Sequence, residues 1–199
     1  MAMTKIYSKI ISGVLSPFLI PTYIYAVLIF YANSPVIPLT PILFIAGTVL
    51  IITAIIPYIS TVWNKYNLKE DYKYNDIYYY LNTGVCYIIA TYVLLKFGLP
   101  LWMVSFMVSN VILLIMIAIL RKKYNASRHM TAYGTYIGAV FVAAKLYNII
   151  PLEFIAISIL LGGMLGSSRA YLKGYSPFEI ITGVVIGFAL SYYTAILMK

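Results

Sequence analysis

The chain has 199 residues, 63% of them hydrophobic and 10% charged, with a formal net charge of +9. A soluble domain carries about 25% charged residues, so a water-facing globular surface is excluded; several apolar runs reach about 20 residues, enough to cross ~30 Å of hydrocarbon, and predict an all-α, polytopic transmembrane bundle. A transmembrane barrel needs alternating segments of ~10 residues, and the sequence has none.

Seven apolar runs are predicted as spans, starting near Ile6, Pro41, Tyr78, Trp102, Ala132, Leu152 and Pro177, all in one domain over residues 1–199. The first follows Lys5 and Lys9. It is longer than a signal peptide, holds Pro17 and Pro21, and shows no small-residue cleavage site, so it is read as a retained helix. The connections are polar or carry proline: YANSPVIPLT, WNKYNLKEDYKYND, KFGLP, RKKYNASRHMT and YNIIP. Sorted by face, eleven of the fourteen Lys and Arg fall together: Lys5 and Lys9; Lys65, Lys69 and Lys73; Arg121, Lys122, Lys123 and Arg128; Arg169 and Lys173. Lys96, Lys145 and Lys199 fall on the other face. The positive-inside rule then predicts a cytoplasmic N-terminus and an external C-terminus, in a multi-pass protein of the cell membrane. Tyrosines at the run ends, such as Tyr78, Tyr79, Tyr171 and Tyr192, fit an interfacial aromatic belt.

The loops 63–77, 121–132 and 167–177 share the cationic face and can converge at one mouth of the bundle. Positive loops of this kind meet anionic headgroups in any membrane protein, so the charges alone specify no ligand. The residues among them are more informative. His129 is the sole histidine, and a neutral imidazole can donate or accept a proton near neutral pH. Ser127, two residues earlier, suits a helix N-cap. Arg169 follows the small-residue run GGMLGSS, which permits close helix packing; a guanidinium there can grip two phosphate oxygens or serve as a snorkelling anchor. Ser176, Pro177 and Glu179 have the spacing of a capping box opening the last helix.

The spacing of these residues resembles the type 2 phosphatidic acid phosphatase family, whose motifs read Lys-x6-Arg-Pro, Pro-Ser-Gly-His and Ser-Arg-x5-His-x3-Asp. Ser168 and Arg169 keep the frame of the third motif, with Tyr175 at its histidine and Glu179 at its aspartate. ASRH keeps Ser127 and His129 in the frame of the second, with Ala126 and Arg128 replacing proline and glycine. WNKYNLKEDYKYND places Lys65, Lys69 and Lys73 in the loop of the first motif, but Asp76 and Ile77 stand at its Arg-Pro positions when counted from Lys69. SPFLIP, Pro57, NASRHM and GYSPFE are similar to features of a compact bacterial branch, so the likeness runs along most of the chain.

The resemblance implies a phosphate held by Arg169, the loop lysines Lys65, Lys69 and Lys73, Ser127 and Ser168. It puts His129 in the role of the acid, Tyr175 in place of the attacking histidine and Glu179 in place of its orienting partner. No metal or other cofactor is implied. A phenol ionises only near pH 10 and needs a base to attack phosphorus. The expectation is therefore a binder of a membrane lipid phosphate with altered or lost catalysis. The alternatives are an active phosphatase for a lipid phosphate or polyprenyl diphosphate, and a subunit that meets other membrane proteins. No nucleic-acid motif is present. A transporter is disfavoured because the runs hold almost no ionisable residue away from their ends.

Overall fold

The computed structural model describes residues 2–33, 39–67, 72–120 and 127–199, and these are helices joined by short turns, with no strand among them. In chain order the helices are α1 (Ala2–Val14), α2 (Ile20–Asn33), α3 (Leu39–Leu50), α4 (Ile56–Asn67), α5 (Tyr72–Lys96), α6 (Leu101–Leu120), α7 (Arg128–Lys145), α8 (Leu152–Lys173) and α9 (Pro177–Leu197). Among the described residues, four helical stretches are long and apolar enough to cross a membrane: Leu43–Trp63, Leu101–Ile119, Glu153–Lys173 and Pro177–Leu197. The chain is thus compatible with a membrane protein built only of helices.

The first apolar run differs from its reading as one span. It is two helices, α1 and α2, broken around Ser16 and Pro17. Proline lacks an N–H and forces the residue before it out of the helical region. The second run holds Pro57 without breaking. A single wider turn, Ile51–Ile55, joins α3 to α4 ahead of it, and the Ile56 N–H reaches the Ile51 carbonyl. Such a turn accommodates the proline ring within a continuous helix.

α7 runs through the middle of the bundle. Almost all of its side chains from Met130 to Ala144 are buried, including Thr131, Tyr133, Thr135 and Tyr136. Its small and hydroxyl-bearing residues follow from that position, since a helix enclosed by helices needs close packing and internal hydrogen bonds more than an apolar outer surface. Tyr133 Oη donates to the Ser158 carbonyl on α8 at 2.8 Å. Thr135 Oγ1 lies 3.2 Å from Asn110 Oδ1 on α6. On the far side of the core, Tyr25 Oη of α2 donates to the Met103 carbonyl on α6 at 3.0 Å.

The closest crossing is α7 against α9. An added Cβ at Gly187 would strike the backbone of Thr131, and one at Gly134 the backbone of Val184. At Gly138 it would lie 2.8 Å from Ser191 Cβ. This crossing fixes the start of α7, with His129, against the start of α9, with Tyr175 just ahead of it.

Candidate functional site

Three chain segments meet at one end of the bundle. α8 stops at Gly174, whose φ of 66° is left-handed and free of cost only for glycine. Its N–H returns to the Ala170 carbonyl at 2.9 Å. Ser176 then starts α9 with a capping box: Glu179 N–H donates to Ser176 Oγ, and Glu179 Oε2 accepts from the Ser176 N–H at 2.8 Å. The tight reversal lays Tyr175 over the last turns of α8. The Arg169 guanidinium carbon lies 5.7 Å from the Tyr175 ring centroid, a cation–π contact, and the guanidinium also interacts with the hydroxyl.

Arg169 is turned into the bundle. It is 8% exposed, and its Nη1 donates to Ser12 Oγ on α1 at 2.8 Å. Its Nε is buried without a hydrogen-bond partner. Among the described residues no carboxylate faces it. His129 completes the cluster. It is partly buried, lies within the field of Arg169, Arg128 and Lys173, and has the Ser12 backbone near enough to act on its pKa. Ser12 thus ties the arginine to α1 beside the histidine, though 157 positions separate it from Arg169. Sequence reasoning missed Ser12, as nothing marks a lone serine in ISGV until the helices pack.

The other expected site residues have specific places. Ser127 stands at the N-cap of α7, but its hydroxyl makes no cap bond; it is fully buried and unpartnered. Ser168 is buried and donates to the Met164 carbonyl of its own helix at 2.9 Å, so its hydroxyl proton is engaged. Glu179 is brought near but committed to Ser176 through both the backbone and the hydroxyl. Lys69 lies outside the described residues, and so do the side chains of Lys65 and Lys73. Arg128 sits over the rings of Tyr79 and Tyr80, 5.2 and 5.5 Å from their centroids.

His129 precedes the apolar part of α7. Burial first, then the charges of Arg169 and Arg128, lower its pKa to about 3; the Ser12 backbone acts the other way, and Lys173 adds to the lowering. The imidazole is therefore neutral at physiological pH and a weak base. The sign for stability follows. The unfolded chain takes up the His129 proton below about pH 6.5 and the folded chain does not, so stability falls as pH falls through that value. Between pH 6.5 and 5 the loss should be about 2 kcal/mol for ligand-free protein. Thermal unfolding across that range should show it, and His129→Gln should flatten the profile above pH 5. An unchanged slope in His129→Gln would place the dependence elsewhere.

No protein-family model matches the chain, and no curated protein or solved structure does so either.

Proposed function

We propose that the chain is a multi-pass membrane protein that binds the phosphate of a lipid on its cationic, cytoplasm-facing side and does not turn it over. The seven-span topology with a cytoplasmic N-terminus belongs to this reading. One observation carries it: Arg169 is buried beside His129 and Tyr175 with an unpartnered Nε and no facing carboxylate among the described residues. A buried cation without a counter-ion is costly. An anionic ligand would relieve that cost, and a guanidinium suits phosphate oxygens in particular.

The absence of turnover rests on the same geometry. In the family-like frame Tyr175 takes the place of the attacking histidine. His129, the nearest base, is held neutral and weakly basic by burial and by the cations around it. Glu179 is engaged in the capping box. Attack by a phenol needs a partner able to take its proton, and neither group is suited to that.

The test uses purified protein in phosphatidylcholine nanodiscs with a panel of lipid phosphates and polyprenyl diphosphates. Wild type should gain thermal stability with at least one of them and release no inorganic phosphate; Arg169→Ala should lose the gain. Phosphate release by wild type that disappears in Arg169→Ala would establish an enzyme with an altered nucleophile. The same thermal midpoint with and without every lipid, together with a co-purifying membrane protein, would favour a structural subunit.

A further inference from the structure

An apolar groove of about 560 Å³ runs between α8 and α9 with α7 as its floor. Gly162, Gly163, Gly166 and Ala170 line one wall, and Ile180, Ile181 and Val184 are on the other. Small residues on α8 make it a trough. From Ile159 to Ala170 it follows α8 for about 16 Å. Ile159, Ile181 and Val185 are more than half exposed along it, so it opens to the outside of the bundle on two of the helices apolar enough to span a membrane.

Its position relative to the cationic cluster specifies the occupant. Met130, Ala170 and Pro177 line the groove. Met130 directly follows His129, Ala170 directly follows Arg169, and Pro177 lies two residues beyond Tyr175. Each of the three segments thus supplies one residue to the groove and a near neighbour to the phosphate site. A molecule matching both parts has an anionic head and a hydrocarbon chain running away from it along α8.

Resting on the phosphate-binding reading above, we infer that the α8–α9 groove seats one hydrocarbon chain of the bound lipid while its phosphate lies against Arg169. The ligand is then an amphiphile gripped by one tail, not a free phosphate and not a headgroup touched only at the surface. Hydrocarbon gains little by moving from bilayer to protein, so the groove acts by shape. It holds the chain where the head meets the guanidinium.

Gly163 provides the test. A Cβ there meets nothing within 4 Å and Gly163 lines the groove, so a large side chain can be introduced at this position to occupy it. In phosphatidylcholine nanodiscs, hexadecyl phosphate should raise the thermal midpoint of wild type, and Gly163→Phe should require about tenfold more of it for the same shift. The response to inorganic phosphate, which has no chain, should be equal in the two proteins. Equal responses to hexadecyl phosphate would overturn the groove assignment and leave the phosphate site standing. If neither phosphate shifts wild type, the phosphate-binding reading itself has failed, and the groove assignment falls with it. A change of oligomeric mass in Gly163→Phe with unaltered hexadecyl phosphate binding would give the groove to a second copy of the chain and overturn the inference.

Discussion

Gly187→Ala should cost about 3 kcal/mol and Gly187→Leu should leave little folded protein, by the mechanism of overpacking at a rigid contact. The added Cβ meets the Thr131 carbonyl, the Thr135 nitrogen at 2.9 Å and the Gly134 Cα at 3.0 Å. All of these are backbone atoms within α7, and none can rotate away. The helices would have to separate. Helices in a bilayer associate through close packing, because the lipid is as apolar as the side chains. Gly134 and Gly138 on α7 and Gly183 and Gly187 on α9 repeat at four-residue spacing, so the two backbones touch over a full turn. Separation would also move the start of α9 away from His129 and dissolve the site. Gly163→Ala is the matched control. It meets open space, and alanine's higher helix propensity should make it neutral or stabilising by up to about 1 kcal/mol. Size-exclusion profiles and thermal midpoints of the variants would decide. A wild-type midpoint in Gly187→Ala would mean that the crossing is looser than the structure has it.

What could be read from the sequence was the chemistry that acts over a few residues. The start of α9 was legible because serine, proline and glutamate at Ser176, Pro177 and Glu179 act within one turn, and the capping box is present. The helical class followed from composition. The break between α1 and α2 was not found, because apolar content continues across Pro17 while the backbone does not. The glycine pairs of α7 and α9 stand plainly in GTYIG and GVVIG, and their spacing was an available signal for the crossing. In GGMLGSS the roles divide in a way no motif conveys: a Cβ at Gly162 would press on Tyr133, one at Gly166 on Ile180, and Gly163 borders open groove. Ser127 shows the limit of local rules. It occupies the N-cap position as expected, yet its hydroxyl is buried and makes no cap bond. Convergence of Arg169, His129 and Tyr175 could be suspected from the family-like spacing. That α1 would place Ser12 between arginine and histidine could not, since it depends on where an amphipathic helix docks.

Arg169→Met should separate the functional reading from the structural one, because the two predict opposite signs. If Arg169 is chiefly a tie between α8 and α1, its loss removes the 2.8 Å bond to Ser12 and the contact with Tyr175, and the protein should become less stable. If it is held in place for an anion, the ligand-free protein bears the cost of a nearly buried guanidinium with one nitrogen unpartnered. The Ser12 hydroxyl offsets part of that cost, and a cation–π contact contributes about 1–2 kcal/mol. Burying an ion costs several kcal/mol when no counter-charge faces it, and among the described side chains none does, so the balance is unfavourable before ligand arrives. Methionine has similar length, no charge and enough flexibility to fill the space. The ligand-free midpoint should therefore stay level or rise, by about 2–4 °C for each kcal/mol recovered. The rise on adding hexadecyl phosphate should vanish, since stabilisation by a ligand requires that the folded state bind it. Thermal unfolding of wild type and variant, each with and without hexadecyl phosphate in the same nanodiscs, gives all four values. A ligand-free variant well below wild type would assign Arg169 to the fold. A level or higher midpoint without ligand response would show a residue that the fold tolerates for the sake of the phosphate.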